Sequence, residues 1–445
     1  MKRPSPRTLH TRRDFLRTSI LGGALAPTVP LFLEKTFLCL DSMAAETTGQ
    51  YPTGKDATIL VVLQLAGGND GLNTLVPYAD DAYYRARPRI ALPRKEILTL
   101  GDYAGFHPRL SALKSLYGEG HLGVVQGVGY PNPNRSHFRS TEIWQTASNA
   151  DRNESEGWLG RYFDNCCGGS DPSSAGVAIG GQTPQAFASP TPKGIAFTSP
   201  QQFRYMSEAA NDPAAADTFV REMNQPSDAG APSLSENSGG SIGMIDGPAD
   251  DMGSTMEFLQ RTALGARMSS DRILSILRKG TSPVSYPASQ LGNSLNLVAR
   301  LIAGGLPTRV YYVSQGGFDT HANQLPGHDR LMTDLNAGLA SFTADLKAQG
   351  NFGRVLLLTF SEFGRRVAEN GSAGTDHGAA APLFVMGGGV KAGLFGKYPS
   401  LTDLQDGDLK FSTDFRSVYA TALENWLGAP SEKVLGRKFP LLPFV

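Results

Sequence analysis

The chain has 445 residues, with 41 basic and 41 acidic side chains, so its formal net charge is zero. Hydrophobic residues make up 40% of it and charged residues 18%, which excludes disordered, collagen-like and polytopic membrane proteins. Zero net charge argues against nucleic acid as the main partner, because phosphate backbones select basic surfaces. Three cysteines are too few for a disulfide framework.

Residues 1–44 are predicted to be a twin-arginine signal peptide. Arg12 and Arg13 stand just ahead of an apolar stretch from Ile20 to Leu33, and a small-x-small cleavage pattern ends at Ala44. A membrane anchor is the alternative, but prolines and charged residues interrupt the apolar run, which makes it a poor spanning helix. We expect a periplasmic or extracellular protein, exported folded by the twin-arginine machinery, with no stable transmembrane segment after processing.

The mature chain, 45–445, alternates between strand and helix patterns. Continuous apolar, β-branched runs predict buried strands at 57–65, 122–126, 308–313, 354–360 and 382–386, with shorter strands at 176–180 and 194–198. Helical spacing predicts helices at 107–117, 136–146, 256–279, 287–304, 331–348 and 414–427. A segment rich in Gly, Ser and Pro near 225–255 predicts an irregular insertion. This rhythm is typical of a single α/β domain with a doubly wound, largely parallel sheet and helices on both faces.

Polar clusters lie beside the predicted strands, most of them where a strand ends. Ligands of open parallel sheets bind outside the carboxyl ends of the strands, so we expect these clusters to meet at one edge. Their carboxylates and imidazoles suit Zn²⁺, Mn²⁺, Mg²⁺ or Ca²⁺. The sequence therefore predicts a divalent-metal site, with the number of ions open, formed by Asp70, Asp319, His321, Glu362, Asp376 and His377.

Each of these residues also has a purely structural interpretation. Asp70 lies in a Gly-rich turn and could only satisfy backbone amides. Asp319 could cap a turn, and Glu362 could be a helix-start carboxylate that the helix dipole favours.

Ser136 is the candidate nucleophile, because it precedes a predicted helix whose N-terminus would stabilise an anion. It could equally be an ordinary N-cap, and Ser140 is a second possibility. Arg135 and Arg139 are the candidates for holding an anionic substrate. The adjacent cysteines Cys166 and Cys167 lack the spacing of redox or metal pairs, so they are given no role.

Several motifs together resemble one exported bacterial family, the one numbered 1501 among the domains of unknown function. They are Leu-Ala-Gly-Gly-Asn-Asp-Gly-Leu-Asn-Thr (65–74), Asn-Arg-Ser-His-Phe-Arg-Ser (134–140), Gly-Gly-Phe-Asp-Thr-His (316–321), Phe-Ser-Glu-Phe-Gly-Arg-Arg (360–366) and Gly-Thr-Asp-His-Gly (374–378). The resemblance spans nearly the whole mature chain and implies no established reaction.

The order of elements is also distantly similar to the alkaline phosphatase and sulfatase superfamily. This resemblance implies an alkaline-phosphatase-like fold, with Asp70 as the first metal ligand and Ser136 as the nucleophile. It further implies that Asp319, His321 and His377 bind one metal.

The sequence departs from the superfamily pattern after the strand that ends at Phe360. The superfamily has an Asp-His dipeptide there, whereas this chain has Ser361-Glu362-Phe363. Either Glu362 replaces the aspartate, or Asp376-His377 is the displaced dipeptide.

These observations predict an exported, metal-dependent hydrolase of phosphate or sulfate esters, in which a serine attacks a metal-activated ester. The expected partner is a small anionic ester or an envelope polysaccharide. The alternative is a non-catalytic envelope binding protein that keeps the fold with a degenerate metal site. A redox protein that uses the cysteine pair is a third, weaker reading.

Overall fold

The computed structural model describes residues 57–166, 175–190, 194–199 and 273–445. The predicted signal peptide, the predicted insertion near 225–255 and most of the predicted helix at 256–279 lie outside the described residues. Within the described part of the chain, no helix is both long and apolar enough to cross a membrane.

The strands, in chain order, are β1 (Ile59–Leu65), β2 (Leu75–Val76), β3 (Leu98–Thr99), β4 (Gly105–Phe106), β5 (Leu122–Gly129), β6 (Gly176–Ile179), β7 (Gly194–Phe197), β8 (Val310–Gln315), β9 (Val355–Phe360), β10 (Ala381–Gly387), β11 (Gly393–Phe395), β12 (Leu404–Gln405), β13 (Asp408–Leu409) and β14 (Thr413–Asp414). The helices are α1 (Gly71–Thr74), α2 (Asp81–Ala86), α3 (Ser111–Gly118), α4 (His137–Thr146), α5 (Trp158–Cys166), α6 (Gln290–Ala303), α7 (Gln324–Ala348), α8 (Phe415–Thr421) and α9 (Ser431–Leu435). A π-helical turn, Ala422–Trp426, continues α8.

One large sheet carries the fold, with its strands in the order β11-β5-β10-β9-β1-β8-β6-β7 and β14 beside β5. β1 lies between β8 and β9 and runs parallel to both, so that Leu63 pairs with Val313 on one side and Thr359 on the other. β10 is the exception, because it runs antiparallel to both β5 and β9. The predicted α/β class and largely parallel sheet are therefore confirmed.

Both faces of the sheet are buried, as the continuous apolar runs predict. In β1, Val61 and Leu63 contribute to one hydrophobic core, which includes side chains of α3, α6 and α7. Leu60 and Val62 contribute to the opposite core, which includes side chains of α4, α5 and α8. The prediction of helices on both faces is confirmed.

Helix α7 begins earlier than the sequence pattern predicts. It starts at Gln324 rather than at Leu331, although Pro326 and Gly327 disfavour a helix. Proline is tolerated in the first turn, where its missing N–H has no intrahelical acceptor in any case. The early start places His328 inside the helix, where its side chain is buried.

The turn after β1 brings two strand-end loops into backbone contact. Gly67 has φ +119°, and a Cβ atom at this position would lie 2.5 Å from the backbone nitrogen of Asp319. Gly68 has φ +80° and packs against the ring of Phe363. Only glycine fits this conformation and this close approach, which explains the Gly-Gly pair that follows the strand.

We predict that Gly67→Ala destabilises the protein by about 2 kcal/mol or more, because it combines left-handed strain with a backbone clash. Urea unfolding at neutral pH measures the loss. Gly101→Ala is the matched control, since a Cβ at Gly101 meets no atom within 4 Å. Equal stability of the two variants would show that the loops separate at little energetic cost.

Candidate functional site

The polar side chains singled out in the sequence lie where parallel strands end. Strands β1, β8 and β9 end at Leu65, Gln315 and Phe360 at one edge of the sheet, since they run parallel. The loops that follow them meet the N-terminus of α4 and the segment before β10. The carboxylate of Asp319 and three imidazoles come together there.

Asp319 is the centre of this group. Its Oδ1 lies 3.0 Å from Nε2 of His321 and 3.1 Å from Nε2 of His377, and its Oδ2 lies 3.5 Å from Nε2 of His137. The Nε2 atoms of His321 and His377 are themselves 2.9 Å apart. Three imidazoles therefore present the same ring nitrogen to one carboxylate. The Asp319 side chain is 47% exposed, so the group is open to a ligand from solvent.

The opposite ring nitrogen of each histidine contacts an oxygen that can only accept a hydrogen bond. Nδ1 of His137 lies 2.9 Å from Oε1 of Glu362, and Nδ1 of His321 lies 3.3 Å from Oδ1 of Asp376. Nδ1 of His377 lies 2.8 Å from the backbone oxygen of Arg135. Each Nδ1 therefore has an acceptor of its own, which leaves the Nε2 atom of each ring facing Asp319.

A buried arginine holds Asp319 in place. Arg365 donates to Oδ1 of Asp319 at 2.8 Å, and the remaining donors of its guanidinium bind backbone carbonyls. Partial burial of Asp319 raises its pKa, but the hydrogen bonds from Arg365 and His377 outweigh that effect and hold the pKa at about 2. The carboxylate is therefore ionised at neutral pH.

The converging nitrogen and oxygen atoms fit a divalent metal ion as ligands. Ligand atoms of His137, Asp319 and His377 lie within 4.8 Å of one another, and Nε2 of His321 adjoins two of them. Imidazole nitrogen with carboxylate oxygen is a donor set that suits Zn²⁺ better than Mg²⁺ or Ca²⁺, which prefer oxygen ligands. Acceptors on the far nitrogen of each ring are the usual supports of metal-binding histidines.

The structure brings five of the six predicted metal ligands together, in two roles. Asp319, His321 and His377 present the converging atoms, whereas Glu362 and Asp376 lie behind histidine rings. Hydrogen bonding, chiefly from Asn370, lowers the pKa of Asp376. Metal binding by this set stays a prediction.

His137 is the member of the group that sequence reasoning missed. It belongs to the Asn134–His137 segment, which follows β5 and had drawn attention to Ser136 instead. Its position after a strand and at a helix start was the available signal. The partnership with Glu362 spans 225 residues and leaves no trace in local spacing.

Asp70, the sixth predicted ligand, has other partners. It is fully buried, forms an ion pair with Arg87 at 2.6 Å, accepts a hydrogen bond from Gln324, and caps α1 through the N–H of Leu72. Burial raises the pKa of Asp70, but the charge and hydrogen bond of Arg87 outweigh it, so the pKa is lowered. Both carboxylate oxygens of Asp70 therefore have protein partners. The role of Asp70 as a metal ligand stays a prediction.

Ser136, the predicted nucleophile, is exposed at the N-cap of α4, directly before His137. Its hydroxyl makes no capping hydrogen bond in the described structure. Ser140 is buried, at 2.8 Å from the hydroxyl of Tyr130, and also donates to the backbone oxygen of Glu362. Of the two serines, only Ser136 is accessible.

The two candidate anion-binding arginines have protein partners. Arg135 pairs with Asp408 at 2.6 Å. Arg139 pairs with Glu142 at 2.7 Å and donates to the backbone oxygens of Asn149 and Ala150. Both guanidinium groups are therefore occupied.

A family model described as "Protein of unknown function (DUF1501)" matches residues 117–435. The chain belongs to this family. The match confirms the resemblance to this family that the sequence motifs indicate. No curated protein matches the chain significantly.

Several solved structures are similar to this DUF1501 protein, with low sequence identities and low TM-scores. The C-terminal periplasmic domain of EcEptC from Escherichia coli, in complex with Zn, is 11% identical with a TM-score of 0.30, covering 77% of each chain. A protein in the alkaline phosphatase superfamily from Vibrio parahaemolyticus is 8% identical with a TM-score of 0.36, covering 92% of this chain and 78% of its own. The PsFucS1 sulfatase from Pseudoalteromonas sp. is 12% identical with a TM-score of 0.35, covering 92% and 74%.

We predict that Asp70→Asn lowers the free energy of unfolding by about 3 kcal/mol at neutral pH, because it leaves the Arg87 charge buried without its counterion. Urea unfolding measures the change. Asp81→Asn is the matched control, since the Asp81–Arg94 pair is exposed to solvent and its loss has little effect on stability. A stable Asp70→Asn protein that loses bound metal would instead make Asp70 a ligand.

The same variant has a defined pH dependence. Because the folded-state pKa of Asp70 is lowered, its carboxylate contributes stability above the unfolded-state pKa of about 3.9. That contribution is lost as the pH falls through the folded-state value. The stability difference between wild type and Asp70→Asn is therefore constant from about pH 5 upward and shrinks below about pH 4.

Proposed function

We propose that this protein is an exported, metal-dependent hydrolase of phosphate or sulfate esters. One observation supports it above all: three imidazoles direct their Nε2 atoms at one ionised carboxylate, and all three Nδ1 atoms have acceptors. A neutral ring that donates through Nδ1 has its lone pair on Nε2, and three such lone pairs facing an anion repel unless a cation or a proton lies between them. Rings that are oriented by acceptors at Nδ1 and converge through Nε2 are typical of a cation site, which favours this interpretation over a chance cluster.

In this proposal His137, Asp319, His321 and His377 hold the ion, and Zn²⁺ is the best match to their atoms. Glu362, Asp376 and the Arg135 carbonyl orient the three rings. A bound ion of this kind would polarise an ester oxygen and lower the pKa of a hydroxyl group beside it.

Ser136 remains our proposed nucleophile. Its hydroxyl is exposed and uncapped, and the next residue in the chain is His137. The first backbone N–H groups of α4 have no intrahelical acceptors, so they are available to an ester oxygen. We assign the anion to these groups rather than to Arg135 or Arg139, whose guanidinium groups already have partners.

The twin-arginine prediction gives the proposed setting, a periplasmic or extracellular one. There the substrate would be a small anionic ester or an ester group carried by an envelope polysaccharide. Because Arg135 and Arg139 already pair with carboxylates, we expect contacts to the uncharged part of the substrate to contribute to binding.

We expect purified protein to contain bound zinc, and Asp319→Ala and His377→Ala to lose it, because each removes one of the converging atoms. Hydrolysis of 4-nitrophenyl phosphate or 4-nitrophenyl sulfate falls at least about 100-fold in both variants. Elemental analysis and steady-state kinetics provide the two measurements.

His121→Ala is the control for these variants, because His121 packs against Phe352 and is not a member of the histidine group. It should retain both zinc and activity. Unchanged metal content in Asp319→Ala and His377→Ala would refute the proposed site.

We expect Ser136→Ala to lower kcat more than about 10³-fold while bound zinc is retained, because it removes the attacking oxygen and no metal ligand. The kinetics are measured on the zinc-loaded variant. If Ser136 is only an N-cap, the substitution changes stability by about 1 kcal/mol and leaves kcat unaltered.

A further inference from the structure

A cleft of about 610 Å³ opens beside the histidine group. The segment Pro131–Arg135, between β5 and α4, forms one side of it, and the β12–β13 hairpin with the residues after it, 405–411, forms the other. Ligand pockets in proteins range from about 300 to 1,000 Å³, so the cleft is large enough for a small organic molecule.

The cleft and the histidine group share their wall. The Arg135 side chain lines the cleft, while its backbone oxygen accepts the hydrogen bond from Nδ1 of His377. Asn134 also lines it, and its Oδ1 accepts from the N–H of Ser136. A molecule in the cleft therefore lies against the segment that carries the proposed nucleophile and positions a proposed ligand.

The two cations of the cleft are neutralised by neighbouring carboxylates. Arg135 pairs with Asp408, and Lys410 pairs with Asp403. The cleft also contains Asp406, so it offers an anionic group no unpaired positive charge. The ester anion is therefore not the part of a substrate that the cleft suits.

The remaining lining suits a neutral, polyhydroxylated molecule. The side-chain amides of Asn132, Asn134 and Gln405 provide both donors and acceptors. The ring of Phe411, 37% exposed, and the prolines of the opposite side provide flat apolar surfaces. Hydroxyl groups around a ring with C–H faces match this mixture.

Asp408 links the two sides of the cleft. Its side chain is only 4% exposed, and its Oδ1 has no hydrogen-bond donor among the described residues. Nε of Arg366 lies 3.7 Å from that oxygen. Oδ2 of Asp408 accepts hydrogen bonds from Nε and Nη2 of Arg135, so this ion pair ties the hairpin to the segment before α4.

We infer that this cleft binds the sugar of a carbohydrate ester while the phosphate or sulfate group lies at the histidine group. The inference rests on the proposed function and narrows its substrate class to sugar phosphates or sulfated sugars. The Phe411 ring stacks on the sugar, and the side-chain amides of Asn132, Asn134 and Gln405 bind its hydroxyl groups.

The first test compares sugar esters with aryl esters. The substrates are the phosphate and sulfate monoesters of glucose, galactose and N-acetylglucosamine, against 4-nitrophenyl phosphate and 4-nitrophenyl sulfate. In Phe411→Ala, the ratio of kcat/KM for the sugar esters to that for the aryl esters falls about tenfold, mainly through KM. Tyr103→Ala, which truncates an aromatic ring of equal exposure outside the cleft, leaves this ratio unchanged.

The second test needs no turnover. Saturation-transfer NMR of the zinc-loaded full-length protein with free glucose, galactose and N-acetylglucosamine should show transfer to at least one sugar. The transfer disappears in Phe411→Ala and persists in Tyr103→Ala. No transfer to any of the three sugars, or equal transfer in Phe411→Ala, overturns the inference.

The two tests separate this inference from the proposed function. Aryl-ester hydrolysis without sugar binding would refute the sugar-binding role of the cleft and retain the proposed hydrolase function. If the protein binds sugar through Phe411 but cleaves none of these esters, the hydrolase function is refuted and the sugar-binding role of the cleft is retained.

Discussion

One buried cation, Arg365, ties together the loops on which the site depends. It donates to the backbone oxygens of Gly67 and Gly68 after β1, Phe318 after β8, and Thr375 before β10, and to the carboxylate of Asp319. A guanidinium has five N–H donors in a rigid plane, so it fixes these acceptors relative to one another. Burial makes the arrangement stringent, because loss of the Gly68 or Thr375 oxygen would leave Nε or Nη1 without its described acceptor. The geometry around Asp319 is therefore a property of the whole loop cluster, not of one turn.

A second buried pair, Asp70 with Arg87, supports the same edge of the sheet. Arg87 also donates to the backbone oxygens of Arg366 and Val367, which follow Arg365 in the chain. Gln324 links this pair to Thr375 and Thr320 beneath the histidine group. The polar layer between the hydrophobic core and the histidines is thus connected throughout. Such networks are rigid when their members are satisfied, which suits a site that must hold several rings in fixed orientations.

The sequence predicted most of the sheet, because strands buried on both faces are continuous apolar runs and are hard to mistake. It also predicted that Asp319, His321 and His377 would meet, since parallel strands end at one edge. It did not reveal that Asp70 pairs with Arg87, because an aspartate in a Gly-rich turn has the same local pattern whether it binds a metal or an arginine. His137 was missed for a similar reason. Only the order of the strands in the sheet brings it next to Glu362, and the local sequence does not show that order. The reversed direction of β10 was equally hidden, since an apolar run carries no sign of its direction.

The histidine group is built from parts of the chain that are distant in sequence. His137 follows β5, Asp319 and His321 follow β8, and His377 precedes β10. The shortest continuous fragment with all four residues, 137–377, contains β6, β7, β8 and β9 but lacks β1, β5 and β10, beside which the site is built. The proposed ion binding by this group therefore requires chain collapse and strand assembly first. A nascent or truncated polypeptide would offer only isolated, weakly binding side chains to metals in its surroundings.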